Sequence, residues 1–285
     1  MTVSQVPEEA AGAPGNAPHD LRERYLDLLR STLTFSLWDG RDGTAWAPRP
    51  AVRRLADLFS QRAGVEIVRT VAGQRGDGRD WPRLAHTMTG VRRMESLQYC
   101  VEQVLRDGVA GDLIETGVWR GGSCILMRGV LAAYGDTERT VWVADSFEGL
   151  PPPDPARYAA DAGDTHHQNR ALAVSLEEVR DNFRRYGLLD GQVRFLKGWF
   201  RDTLPAAPID RLAVLRLDGD MYESTVDALR GLYPKLSPGG FCVVDDYGAI
   251  EGCRAAVDDF RRTAGIEEEI VRIDWTGVYW RKAAR

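Results

Sequence analysis

Between residues 112 and 246, short apolar runs alternate with helical stretches, and nearly every run stops at a carboxylate. The runs are "DLIET" (112–116), "RTVWVAD" (139–145), "VRFLKG" (193–198), "LAVLRLDG" (212–219) and "GGFCVVDD" (239–246); helical patterns fill 122–134, 175–186 and 222–234. Phe241–Val244 is apolar on both faces, as a central strand of a parallel sheet is. Such alternation predicts an α/β fold with a doubly wound, Rossmann-like, mainly parallel sheet. The segment "EEIVRIDWTGVYWRK" (268–282) reads as two strands turned at Trp275–Gly277, which adds a C-terminal antiparallel hairpin strand.

Helices are expected ahead of the sheet. "LRERYLDLLRSTLTFSLW" places Leu21, Tyr25, Leu28, Leu29 and Leu33 at three-to-four spacing, an amphipathic pattern. "AVRRLADLFSQRAG" (51–64) predicts a second helix closed by glycine, and "GVRRMESLQYCVEQVLRDG" (90–108) a third. The expected organisation is a disordered Pro/Ala/Gly-rich tail over 1–20, an N-terminal helical cap over 21–110 and a sheet domain over 111–285. The long irregular piece "PPPDPARYAADAGDTHHQ" (151–168) is read as a lid.

Composition narrows the partners. A net charge of −5 without a basic stripe gives no reason to expect nucleic acid. No apolar run has the length of a membrane span, so no membrane is expected. Cys100, Cys124, Cys242 and Cys253 lie far apart, which predicts reduced thiols in a cytoplasmic protein. The apolar N-terminal helices suggest a homo-oligomer.

In open α/β sheets, ligands bind beyond the carboxyl ends of the strands. Those ends are Glu115-Thr116-Gly117, Asp145-Ser146, Gly198-Trp199, Asp218-Gly219-Asp220 and Asp245-Asp246. The loop after Gly117 is not a dinucleotide fingerprint, because Trp119 stands where the second glycine belongs. Glu115 would repel a phosphate and suit a cation, and Asp145 is spaced to accept a ribose diol. A cationic nucleoside without phosphate describes S-adenosylmethionine; the plainer reading of the loop is a packing turn.

Neighbouring fourth and fifth strands would bring Asp218, Asp245 and Asp246 together. Carboxylates so crowded raise one another's pKa unless a cation intervenes, and an all-oxygen set suits Mg²⁺. The competing reading has Asp245 and Asp246 capping the following turn. For Asp220 an N-cap on the helix from Met221 is the preferred reading.

"GDLIETGVWRGGS", "ADSFEGLP", "LAVSLEEVRDNFRRYGLLD", "LRLDGDMYEST" and "GGFCVVDDYG" resemble the macrocin O-methyltransferase family. "RYLDLLRSTLT" and "HTMTGVRRMESLQYCVE" extend the likeness over nearly all of residues 21–282. The resemblance implies a metal-dependent enzyme that moves a methyl group from S-adenosylmethionine to a sugar hydroxyl of a glycosylated small-molecule antibiotic. It puts the metal on Asp218, Asp245 and Asp246, and the cofactor on Glu115, Gly117, Ser123, Asp145 and Ser146. Thr87 and Met88 fall near the methionine end, Gly198 and Trp199 near the adenine.

The resemblance also implies that Asp218 is both ligand and proton acceptor. His166 and His167 are rival bases, since imidazole titrates near neutrality. Trp199, Phe200 and Tyr222 are candidates for the acceptor wall. An alternative keeps cofactor and metal but methylates a catechol or phenol. A nicotinamide-dependent sugar oxidoreductase lacks its G-x-G-x-x-G and Tyr-x-x-x-Lys; a non-catalytic metabolite-binding scaffold would follow if the aspartates held no metal.

Overall fold

The computed structural model describes residues 17–38, 43–45, 68–70, 75–80 and 82–283. The expected helix over 51–64 and residues 1–16 of the expected tail lie outside the described residues. Residues 17–20, placed in that tail by the sequence, are instead the first turn of helix α1 (Ala17–Leu33).

Two short strands, β1 (Gly43–Ala45) and β2 (Val68–Thr70), pair with each other. The main sheet is built from β3 (Asp112–Thr116), β4 (Val141–Asp145), β5 (Val193–Lys197), β6 (Leu212–Leu217), β7 (Leu236–Val244), β8 (Val271–Arg272) and β9 (Val278–Arg281). Its order is β5-β4-β3-β6-β7-β9-β8. The first five strands run parallel, and β9 lies antiparallel to both β7 and β8. The chain winds outward from β3 to β5, then returns to the other side of β3, so the order reverses between β3 and β6. That reversal opens the crevice where such sheets take ligands.

Pleat alternation sends successive side chains to two cores. Leu113, Val141, Val143 and Phe241 face a layer made by α1, α2 (Val91–Arg106), α3 (Gly122–Tyr134) and α4 (Leu176–Arg185). Ile114, Ala144, Leu215 and Val244 face α5 (Phe200–Thr203), α6 (Tyr222–Leu232) and α7 (Glu251–Ala264). The helices α1 and α2 therefore share one continuous core with the sheet: Leu26, Leu33, Met94 and Leu97 are packed with Ile125 and Met127. The fit is close, because a Cβ on Gly129 of α3 would lie 2.2 Å from Leu29 Cδ2. Among the described residues no helix is long and apolar enough to cross a membrane.

Local signals set the helix ends. Ser175 caps α4 by accepting the Glu178 N–H (3.2 Å), with Glu177 in the first turn and Arg184 in the last, as the helix dipole favours. Gly135 closes α3 in the left-handed region (φ +70°). Helix α6 is different: its own N-cap, Met221, has no capping side chain, and the cap comes from the 151–168 loop. Asp161, 3 % exposed, accepts the Tyr222 N–H at Oδ1 (2.7 Å) and the Glu223 N–H at Oδ2 (2.9 Å). Asp220 is thus not the cap that the sequence suggested.

Candidate active site

The strand ends at the switch point lie so close that backbone geometry restricts residue type. Asp218 N–H donates to Thr116 O (2.9 Å), and a Cβ on Gly117 would fall 1.8 Å from Asp218 O. With φ at +84°, Gly117 is required both for space and for conformation. Trp119 also takes a left-handed backbone (φ +48°), and its indole N–H donates to Ala171 O (2.8 Å). This loop and the C-terminal strand ends line a cavity of about 390 Å³, within the range of small-molecule sites.

Every cofactor and metal residue named from the sequence lines that cavity: Thr87, Met88, Glu115, Gly117, Ser123, Asp145, Ser146, Gly198 and Trp199, with Asp218, Asp245 and Asp246. Their bonds specify what each side chain is doing. Asp145 accepts the N–H groups of Val118 at Oδ2 and Phe147 at Oδ1, both at 2.7 Å. Burial raises its pKa, opposed by those donors. The Ser146 hydroxyl donates to Gly149 O (2.6 Å) and accepts the Glu148 N–H (3.0 Å), so it shapes the turn after β4. Thr87 Oγ1 accepts the Thr89 N–H (3.0 Å), and Gly198 N–H donates to Asp145 O (2.9 Å).

Glu115 is not an open carboxylate awaiting a cationic ligand. It is 1 % exposed, receives the Arg216 guanidinium at Oε1, and accepts the Cys124 thiol at Oε2 (2.9 Å). Burial pushes its pKa up to about 7 against the pull of Arg216.

Arg216 is the residue that sequence reasoning missed. It sits inside a fully buried strand, and its guanidinium reaches Glu115, Asp218 Oδ2 (2.7 Å), Thr89 Oγ1 (3.0 Å) and Asp245 Oδ1. Arg93 of α2 holds the other oxygen of Asp245 and donates through Nε to Asp274 Oδ2 (3.0 Å). An arginine in the apolar run "LAVLRL" was the available signal, since a buried guanidinium must be paired.

Even so, negative charge is in surplus. Glu115, Asp218, Asp245, Asp246 and Asp274 share the two guanidiniums of Arg93 and Arg216, and Asp220 adds a further carboxyl group beside Asp218 and Asp246. One oxygen from each of Asp218, Asp245 and Asp246 lies within 4.8 Å of the others, a spacing able to hold a hard cation. Burial, then the neighbouring carboxylates, raise the pKa of Asp246 well above its usual value and that of Asp218 less far. Asp220 is pushed up to about 7 by burial and by Asp218, and its N–H donates to Asp246 Oδ2 (3.3 Å). The side chains of Asp245 and Asp246 therefore bond to arginines and to this N–H, and the turn that follows is closed by backbone bonds to Asp246 O.

Of the two loop histidines, only His166 lines the cavity. Its Nδ1 lies 2.8 Å from Asp164 Oδ2; burial works to lower its pKa, but the Asp164 bond and the Asp220 charge prevail and raise it. His167 Nδ1 is buried without a hydrogen-bond partner among the described residues. Phe200 joins Trp199 in the lining, whereas Tyr222 turns away to donate to Asp259 Oδ2 (3.0 Å) and to stack near Tyr158.

Comparison with known proteins agrees with this architecture. The family model described as Macrocin-O-methyltransferase (TylF) matches residues 22–282. An 8-demethyl-8-(2,3-dimethoxy-alpha-L-rhamnosyl)-tetracenomycin-C 4'-O-methyltransferase of Streptomyces olivaceus is 56% identical, over 93% of this chain and 95% of that one. Demethyldecarbamoylnovobiocin O-methyltransferase of Streptomyces niveus is 58% identical, over 90% of this chain and 93% of its own. The solved structure of the O-methyltransferase NovP superposes with a TM-score of 0.80 at 49% identity, covering 92% of this chain and 99% of that one.

Proposed function

The chain belongs to the macrocin O-methyltransferase family, and from that membership we propose that it methylates a sugar hydroxyl of a glycosylated antibiotic, with Mg²⁺ as its metal. As a member it is an S-adenosylmethionine-dependent O-methyltransferase. A sugar acceptor is supported by the Streptomyces olivaceus relative, whose name specifies methylation at a 4'-oxygen of a rhamnosyl compound. The observation that carries the proposal is one cavity joining the β3, β4 and β5 ends to the cluster of Asp218, Asp245 and Asp246. A cytoplasmic setting fits four buried free cysteines.

Asp145 and Gly198 would flank the nucleoside, while Thr87, Met88 and Ser123 would flank its methionine end. Asp218, Asp245 and Asp246 would hold Mg²⁺: the donors are all oxygen, and the surplus negative charge suits a divalent ion. When bound, that ion supplies Lewis acidity, which makes the acceptor hydroxyl a stronger acid.

Asp218 takes the hydroxyl proton at Oδ1, because Oδ2 is held by Arg216 at 2.7 Å. When bound, S-adenosylmethionine would supply the methyl group to the acceptor oxygen that Asp218 deprotonates, and its sulfur would leave as a neutral thioether. The 151–168 loop, which carries His166, closes over the reacting groups and excludes water. His166 is the second candidate for the base, since it lines the cavity and is oriented by Asp164.

Calorimetric titration with S-adenosylhomocysteine, with Mg²⁺ and after chelation, beside an NAD control, tests the cofactor. Mass spectrometry of glycosides incubated with S-adenosylmethionine tests the acceptor. Nucleoside binding, no NAD binding and chelator-sensitive methyl transfer are expected. Transfer that persists undiminished after chelation would remove Mg²⁺ from the proposal. Asp218→Asn and His166→Gln separate the two bases, the true one losing its pH-dependent limb of kcat.

A further inference from the structure

The cavity extends past the strand ends assigned to the cofactor. Trp199, at the end of β5, and Trp275, just before β9, both line it, and five inter-strand steps separate those strands. At the usual spacing that is about 24 Å. With the nucleoside over β3, β4 and β5, and the acidic cluster over β6 and β7, the stretch toward β9 is left for the acceptor. Its wall carries Arg79, Ile250, Trp275 and Thr276.

Trp275 is held firmly there. Its indole N–H donates to Asp77 O (2.8 Å), and its carbonyl accepts from Arg272 (3.2 Å). Asp274 Oδ1 accepts the N–H groups of Thr276 (2.9 Å) and Gly277 (2.8 Å), which folds the hairpin tip. Thr276 Oγ1 donates to Asp245 O (2.9 Å), and Arg93 bridges Asp274 to the Asp245 carboxylate. The backbone packs so closely that a Cβ on Gly248 would lie 2.3 Å from Trp275 O. The tip is thus tied to the acidic cluster, and the tryptophan is pre-positioned relative to the reacting centre.

Its one polar atom is already bonded, so this half-buried indole offers a ligand only its ring. The exposed Arg79 guanidinium stacks 4.5 Å from the ring centroid, adding a second flat, cationic surface. A saturated ring would gain area burial from such a wall; a conjugated one gains stacking and cation attraction besides.

We infer that Trp275, backed by Arg79, selects acceptors whose sugar is carried on a flat, conjugated aglycone. The inference rests on the sugar-acceptor reading above.

The test uses 4-methylumbelliferyl and cyclohexyl α-L-rhamnosides, titrated calorimetrically into the full chain saturated with S-adenosylhomocysteine. The aryl glycoside is expected to bind about tenfold more tightly than the saturated one. Trp275→Ala should collapse that ratio to about one, Trp275→Phe should keep most of it, and Arg79→Ala should reduce it about threefold. Retained S-adenosylhomocysteine binding reports that each variant is folded. Equal binding of the two glycosides by the unsubstituted chain, or an unchanged ratio in Trp275→Ala and Arg79→Ala, overturns this inference alone. Failure of both glycosides to bind, beside normal S-adenosylhomocysteine binding, overturns the sugar reading and this inference with it.

Discussion

Arg216 and Glu115 stand opposite each other in the β3–β6 ladder, and the guanidinium that satisfies Glu115 also holds Asp245. One buried cation therefore ties the cofactor side of the crevice to its acidic side. Both groups are almost wholly out of water, so their pairing sets whether the strand ends can close at all.

Arg216→Met should destabilise the protein by about 3–5 kcal/mol, because it strands buried carboxylates without a partner. Arg216→Lys keeps the charge but not the fork of donors, and should cost less. Urea unfolding of the two variants checks this; a Met variant as stable as the parent would show that the carboxylates fold protonated.

Gly117→Ala should prevent the β3 and β6 ends from meeting. The new methyl would lie 1.8 Å from Asp218 O, on a backbone at φ +84°. The expected result is loss of S-adenosylhomocysteine binding and a fall in stability of about 3 kcal/mol or more. Calorimetry and thermal unfolding read the two effects separately.

Asp161→Ala should release the 151–168 loop from helix α6. Removing a cap that accepts two backbone N–H groups costs about 1–2 kcal/mol. Hydrogen exchange should rise across the loop, and the acceptor KM should rise more than kcat falls. Unchanged exchange there would mean that the Tyr158–Tyr222 contact and the Arg157–Glu223 ion pair secure the loop without the cap.

His86 gives stability a dependence on pH. Burial, with Arg120 and Arg185 nearby, lowers its pKa to about 4, while the unfolded side chain titrates near 6.5. The unfolded state thus binds more protons between those values, and stability rises with pH across that window. The contribution is fully present above about 6.5 and is lost as pH falls toward 4; partial exposure holds it to about 2 kcal/mol. Thermal unfolding from pH 7 to pH 4 should be flatter for His86→Gln than for the parent chain.

Much of this is legible in the sequence alone. The strands "DLIET" and "VWVAD", the helix over 122–134 and the late hairpin follow from period and punctuation, which are local properties of the backbone. Strand-end carboxylates were readable for the same reason: a run that is apolar on both faces fixes where the strand stops, and the α/β topology fixes which ends share a crevice. The family resemblance added roles that spacing alone does not supply.

Other features were not local. Asp220 precedes α6 as a helix cap does, yet Asp161 supplies that cap from the loop. Glu115 looked like a free anion, yet Arg216, 101 residues later, takes its charge. Arg93 meets Asp245 across 152 positions. The sequence by itself determined the elements and the identity of the charged groups at their ends. Only the tertiary structure decided which charges neutralise one another, because pairing energy depends on distance and burial in space, and neither is written in the spacing along the chain.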